Sequence, residues 1–337
     1  MKPLAEILEV ERLIGDLQGL VRTEVLGHST HRGERLPIYK VSFGSTQPNV
    51  PVIGLTGGVH GLERIGAQVC VSLLRSLSQL ILWDRNTQRA VENIRIVFIP
   101  TVNPWGILNK TRANPAGVDL MRNAPIDGEG KTTPLVGGHR FSARLPWYRG
   151  PIGGPMEPES QALVNGIASE LKDSPLVVTV DFHSGFGIQD RIWFPYAKST
   201  APFPDLDVMH AFSELMEKTY PYHFYRIEPQ ALNYTTHGDL WDYLYEEHRK
   251  VAGRGLYLPL AIEMGSWNWV KKNPFQFFSS DGPYNPVKQH RLRRVLRRHN
   301  TFFDFLIRAV SSPEAWAQLN QEQKAKHQSQ AMKLWYE

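Results

Sequence analysis

The chain has 337 residues, 42% of them hydrophobic and 21% charged, a make-up that suits a globular fold and excludes a disordered or fibrous one. A formal net charge of +5 is modest for this length, and the single cysteine, Cys70, rules out an internal disulfide framework. The length permits one large α/β domain or two smaller ones.

The first twenty residues place Glu6, Glu9, Glu11 and Asp16 among their apolar positions, so they lack the uninterrupted apolar region of a secretory signal. No stretch approaches the ~20 apolar residues of a membrane span. A cytoplasmic protein without a membrane partner is therefore expected. Strand-like runs follow: PIYKVSFG (37–44), VPVIGLTGG (50–58), IRIVFIPTVNP (94–104), PLVVTVDFHSG (175–185) and LYLPLAIEMGS (256–266). Several are apolar almost throughout, as strands buried on both faces should be. Helix-like segments lie between and after them, at 64–83, 157–172, 206–220, 239–247 and 286–310. The alternation predicts an α/β fold, a three-layer sandwich around a mixed, largely parallel sheet. Residues 1–312 are expected to form a single domain, and 313–337 a polar C-terminal helix or tail.

Four strand-like runs end in turns carrying chemically able residues: His60 and Glu63, Asn103, His183 and Ser184, and Glu263. Ligands of open α/β sheets gather outside the carboxyl ends of the strands, which points to one shared site. The irregular, Gly- and Pro-rich stretch 103–155 has the length of a functional loop. The basic run KQHRLRRVLRRHN (288–300) is read as one face of a helix, because Leu292, Val295, Leu296, Phe302, Phe303 and Leu306 recur at helical spacing. No nucleic-acid partner is expected, although the excess charge would help attract an anionic substrate.

A lone His-x-x-Glu means little, since 12 histidines and 33 acidic residues give about one such match by chance, and His31 with Glu34 is a decoy without a flanking apolar strand. His60 and Glu63 differ in context. Gly57 and Gly58 let the chain turn off a strand end, and three-residue spacing on a first helical turn would put both side chains on one side. His183 ends another buried run; taken singly it is better read as a strand cap bonded to a backbone carbonyl. Two His and one Glu leave a fourth position for water, the pattern of catalytic zinc. Glu263 emerges from an apolar strand, where an unpaired carboxylate is costly and is better explained by a partner or a role as general base. Arg112 and Arg122, in NPWGILNKTRANPAGVDLMRN, offer cations for an oxyanion and for a carboxylate.

GGVHGLE, NPWG with TRANPAGVDLMRN, DFHSG, NYTTHGDLWDYLY and IEMGSW, in this order, resemble the M14 family of zinc carboxypeptidases, in particular its bacterial branches. The resemblance spans roughly Val52 to Trp267. It implies a zinc-carboxypeptidase-like catalytic domain holding one zinc ion on His60, Glu63 and His183, with Glu263 as the general base. It further implies Arg112 at the oxyanion, Arg122 on the substrate's terminal carboxylate, Tyr234 as the tyrosine that closes over the substrate, and Asp119 orienting a zinc-bound histidine. Met121 departs from the pattern: the family has Asn there, and a thioether donates nothing to a carboxylate. Losing a donor from a charged contact costs roughly 1.5–3 kcal/mol. The specificity pocket is expected to be lined by Asp239, Leu240 and Trp241. The substrate implied is a peptide or an N-acyl amino acid. The leading reading is a carboxypeptidase acting next to a carboxylate-bearing residue; the alternatives are an aspartoacylase-like zinc amidohydrolase and a non-catalytic homologue that retains the pocket.

Overall fold

The apolar runs lie side by side in the computed structural model, which describes residues 4–337. Its strands are β1 (Arg22–His31), β2 (Glu34–Gly44), β3 (Val52–Gly57), β4 (Arg95–Ile99), β5 (Leu176–Ser184), β6 (Arg191–Phe194), β7 (Arg226–Pro229) and β8 (Leu256–Met264). They form one eight-stranded sheet in the order β1-β2-β4-β3-β5-β8-β6-β7. The centre, β4-β3-β5-β8, is parallel, while β1, β2 and β6 meet their inner neighbours antiparallel. Every residue of β3 and β5 is buried, which is why their sequences are apolar without alternation.

The helices are α1 (Ala5–Asp16), α2 (Arg64–Trp83), α3 (Arg85–Asn93), α4 (Pro104–Asn109), α5 (Pro158–Leu171), α6 (Leu206–Thr219), α7 (Leu240–Arg249), α8 (Trp267–Lys272), α9 (Gln289–Ser311) and α10 (Gln321–Trp335). α2 packs on β3 and β5 with α9 beside it, and α5 and α7 pack on β1 and β8, which gives the expected three layers. Among the described residues, α2 is long and apolar enough to cross a membrane, against the expectation that no stretch comes near that; here Ile65, Val69, Leu73 and Leu77 are buried in the core. The polar tail forms α10, opened by a capping box between Asn320 and Gln323. It lies on α6, with His327, Ala331 and Trp335 buried.

The decoy pair His31 and Glu34 flanks a tight hairpin turn at Arg32 and Gly33, both with positive φ (50° and 82°). β1 announces itself by no apolar run because most of it faces solvent.

Candidate metal centre

The first ligand loop begins where β3 ends. A side chain at Gly57 would place its Cβ 2.7 Å from the carbonyl oxygen of Gly66, and Gly58 adopts φ +69°, so both glycines are required for the chain to leave the strand under α2. The loop then closes through the Glu63 N–H, which donates to the His60 carbonyl (3.0 Å). His60 and Glu63 therefore share a turn before α2 and do not sit in its first helical turn, as the spacing had suggested. Two side chains hold this turn: Asn103 Nδ2 donates to the Val59 carbonyl (3.3 Å) and Asn285 Nδ2 to the Leu62 carbonyl (2.7 Å). Asn103 thus supports the ligand loop, and its side-chain oxygen also caps α4 by accepting from the Gly106 N–H.

β5 brings His183 to the same edge, and β8, in parallel register, sets Glu263 beside it. One donor atom each from His60, Glu63 and His183 lie within 4.8 Å of one another, and all three residues are buried. Glu63 Oε2 accepts from the Ser184 N–H (2.9 Å) and lies 3.2 Å from His183 Nδ1. The other ring nitrogen of His183 lies 2.6 Å from Asp181 Oδ2. Burial works against a charge on His183, yet Asp181 and Glu63 outweigh it and raise its pKa well above the usual value. His60 moves the other way: burial, reinforced by the Arg112 guanidinium, holds it well below.

Arg112 reaches three of these groups, donating to Asp119 Oδ2 (2.7 Å) and Glu63 Oε1 (3.3 Å) and lying 2.8 Å from His60 Nε2. Asp119 Oδ1 is 3.5 Å from His60 Nδ1, so it faces one histidine of the cluster as Asp181 faces the other. Asp181 was overlooked in the sequence although it stands two residues before His183, the strand spacing that puts two side chains on one face.

The donor set suits a borderline-soft divalent ion: two imidazoles, one carboxylate, and a carboxylate beside each imidazole to fix its tautomer. His60 Nδ1 is buried and makes no hydrogen bond, with Asp119 Oδ1 3.5 Å away. Glu263 Oε2 is likewise buried and unpartnered. Burial, reinforced by Glu63, pushes the Glu263 carboxyl up to about 8 against the pull of His183 and Arg112.

The cluster forms one wall of a cavity of about 320 Å³ that also takes in Arg112, Met121, Arg122, Tyr234, Trp241 and Glu263. The Arg122 guanidinium donates to the carbonyls of Val136 and Met121 (both 3.2 Å) and lies 6.0 Å from the centre of the Tyr234 ring. Burial pushes the Tyr234 phenol up to about 12, with the arginine charges holding it back. Its ring packs between Trp193 (5.7 Å) and Phe186 (6.1 Å), two aromatic cavity residues that sequence reasoning missed. Of the three expected pocket residues, Asp239 and Trp241 line the cavity and Leu240 does not, because α7 begins there and turns Leu240 into the core. Trp241 Nε1 donates to Asp181 Oδ2 (3.1 Å).

A profile of the zinc carboxypeptidase family, Peptidase M14, matches residues 10–266. The catalytic chain of carboxypeptidase N from Rattus norvegicus is 25% identical over 207 residues, 53% of this chain and 42% of that protein, so the chain matches less than half the length of this relative. The fold is similar to thrombin-activatable fibrinolysis inhibitor (TM-score 0.66, 16% identity, 92% of this chain and 73% of that one). It is similar also to carboxypeptidase A from Helicoverpa armigera (TM-score 0.65, 15% identity, 92% and 72%).

Proposed function

The chain belongs to the zinc carboxypeptidase family, and on that premise we propose that it hydrolyses an amide bond next to a carboxylate-bearing residue. The observation that carries this reading is the unpaired Glu263 carboxylate on the same cavity wall as the His60, Glu63 and His183 cluster. Zinc held by those three residues would supply Lewis acidity, lowering the pKa of water and polarising the substrate carbonyl. Glu263 takes the proton of the attacking water and delivers it to the leaving nitrogen; a carboxyl raised toward neutral pH suits both transfers. Arg112, fixed by Asp119, donates to the carbonyl oxygen as negative charge develops there. Arg122 holds the substrate carboxylate, and Tyr234, stacked beside it, closes over the bound residue.

Met121 favours a second reading within the same chemistry. It is buried, lines the cavity, and offers no donor where Asn would bond a terminal carboxylate. That supports removal of an acyl group from an N-acyl amino acid as the competing activity. Zinc content and product analysis test both together. The purified protein is expected to carry about one zinc per chain, absent from His183→Ala, and to release a free amino acid from blocked dipeptides or from N-acyl amino acids. Absence of metal after addition of zinc would leave the non-catalytic reading.

A further inference from the structure

The segment that follows Glu263 presents an aromatic tip. Phe275 and Phe278 are 83% and 86% exposed, and Trp267, Phe277 and Val287 are each about half exposed. This exposure belongs to a built structure. Gln276, between the two phenylalanines, is buried and donates to the carbonyls of Gly282 (2.7 Å) and Asn285 (3.3 Å). Asn285 is in turn bonded to Leu62 of the ligand loop and to Ile65 in the first turn of α2, and the Trp267 indole donates to the Gly185 carbonyl (3.2 Å). The tip is thus held in place with its rings turned outward, an arrangement water penalises.

Cations flank it along the chain. Between Trp267 and Arg297 the chain carries seven Lys or Arg residues and one acid, a net of +6 where the whole protein carries +5. Asp281, the one acid, lies 3.1 Å from Lys110, so the basic residues meet no free counter-charge within the segment. Lys271 and Lys272 end α8 just before the tip, and exposed Lys288, Arg293, Arg294 and Arg297 begin α9 just after it. Arg291 joins the two sides, donating to the carbonyls of Trp269 (3.2 Å) and Lys272 (3.3 Å).

We propose that this surface docks the protein on an anionic lipid bilayer, with Phe275 and Phe278 entering the headgroup boundary and the flanking lysines and arginines facing the lipid charge. A duplex nucleic acid or an acidic protein would employ the cations and leave the outward phenylalanines without a role, and a single strand stacks its bases along a basic groove, whereas these rings stand on a projecting tip. A bilayer interface takes both, since apolar rings insert at the boundary and each basic residue near an anionic surface adds to the attraction. Docking of this kind needs no spanning segment, so it departs from the sequence expectation of no membrane partner without requiring α2 to leave the core. It also stands apart from the proposed chemistry.

The test is co-sedimentation of the full chain with vesicles of phosphatidylcholine and of phosphatidylcholine mixed with phosphatidylserine. Binding to the mixed vesicles alone is expected, falling with salt. It should weaken by about tenfold or more both in Phe275→Ser/Phe278→Ser and in Lys271→Glu/Lys272→Glu. Circular dichroism and zinc content, unchanged in both variants, would show that they fold. Equal binding to neutral vesicles, or none to either, overturns the proposal. So does a phenylalanine variant that binds as the wild type does while the lysine variant loses both vesicles and heparin, which would assign the surface to a polyanion. A wild-type dimer dissolved by the phenylalanine variant, with no vesicle binding, would assign it to a second copy of the chain.

Discussion

Two buried charge clusters lie at opposite edges of the same sheet, and they are built on opposite rules. At the amino end of β4, Glu170 of α5 receives Lys40 Nζ and Arg95 Nη1, each at 2.6 Å, and Lys40 also lies 3.0 Å from Ser169 Oγ. Its carboxylate has a cation for each oxygen. At the carboxyl ends of β3, β5 and β8, Glu263 keeps one oxygen unpartnered and His60 one nitrogen, although both atoms are buried. A protein that pairs its charges so fully at one end has no general difficulty in doing so. The unpaired end is therefore held that way by the rest of the fold, which is what the proposed metal, water and substrate would require.

The sharpest way to break this contrast is Glu263→Gln, which keeps the shape and removes the base. Turnover is expected to fall by roughly 10³-fold or more, with zinc content and thermal midpoint unchanged; retained activity would remove Glu263 from the reaction. At the paired end, Glu170→Gln strands two cations in the interior. It should lower stability by about 3–5 kcal/mol in urea unfolding and leave kcat alone. Between these lies Asp181→Asn, which leaves His183 without its charged partner: zinc affinity, measured by competition with a chelator, is expected to drop about 10–100-fold. Met121→Asn restores a donor beside Arg122 and should lower KM for peptides with a free C-terminus by about tenfold, without changing kcat. An unchanged KM across a peptide series would take residue 121 out of carboxylate binding.

The smallest effect is in pH. Burial raises the Glu170 pKa, but Lys40 and Arg95 outweigh it, so the folded value lies below the unfolded ~4.3. Stability from a depressed carboxyl is complete above the unfolded value and is lost as pH falls through the folded one. The advantage of the wild type over Glu170→Gln should therefore hold from neutrality down to about pH 4 and shrink below it. An advantage that grew in acid would mean that the cations do not control this carboxylate.

Much of the sheet was readable because β3, β5 and β8 are buried on both faces and hence apolar throughout. β6 and β7 were not, being four residues each, and α3 was not, since Val91 is its one buried residue and the Asp84 side chain sets its start. The same logic divides the site. His60, Glu63, His183 and Glu263 stand at the ends of visible strands, whereas Asn285 meets the ligand loop from 220 residues away and no local pattern foretells it. Asp181 was hidden by its surroundings: an acid inside an apolar strand invites a question, and the question was asked only of Glu263.

One bond described above reaches beyond the proposed activity. Asp181 Oδ2 lies 2.6 Å from the ring of His183 and accepts the indole N–H of Trp241, so a cavity-wall residue and a candidate metal ligand share a single oxygen atom. Exchanging Trp241 to admit a different side chain would also alter the field on His183. Selectivity and metal retention are thus inherited together, and a lineage drifting toward new substrates would have to repair the second while exploring the first. Libraries at position 241 should therefore shift zinc affinity along with selectivity, by less than Asp181→Asn does.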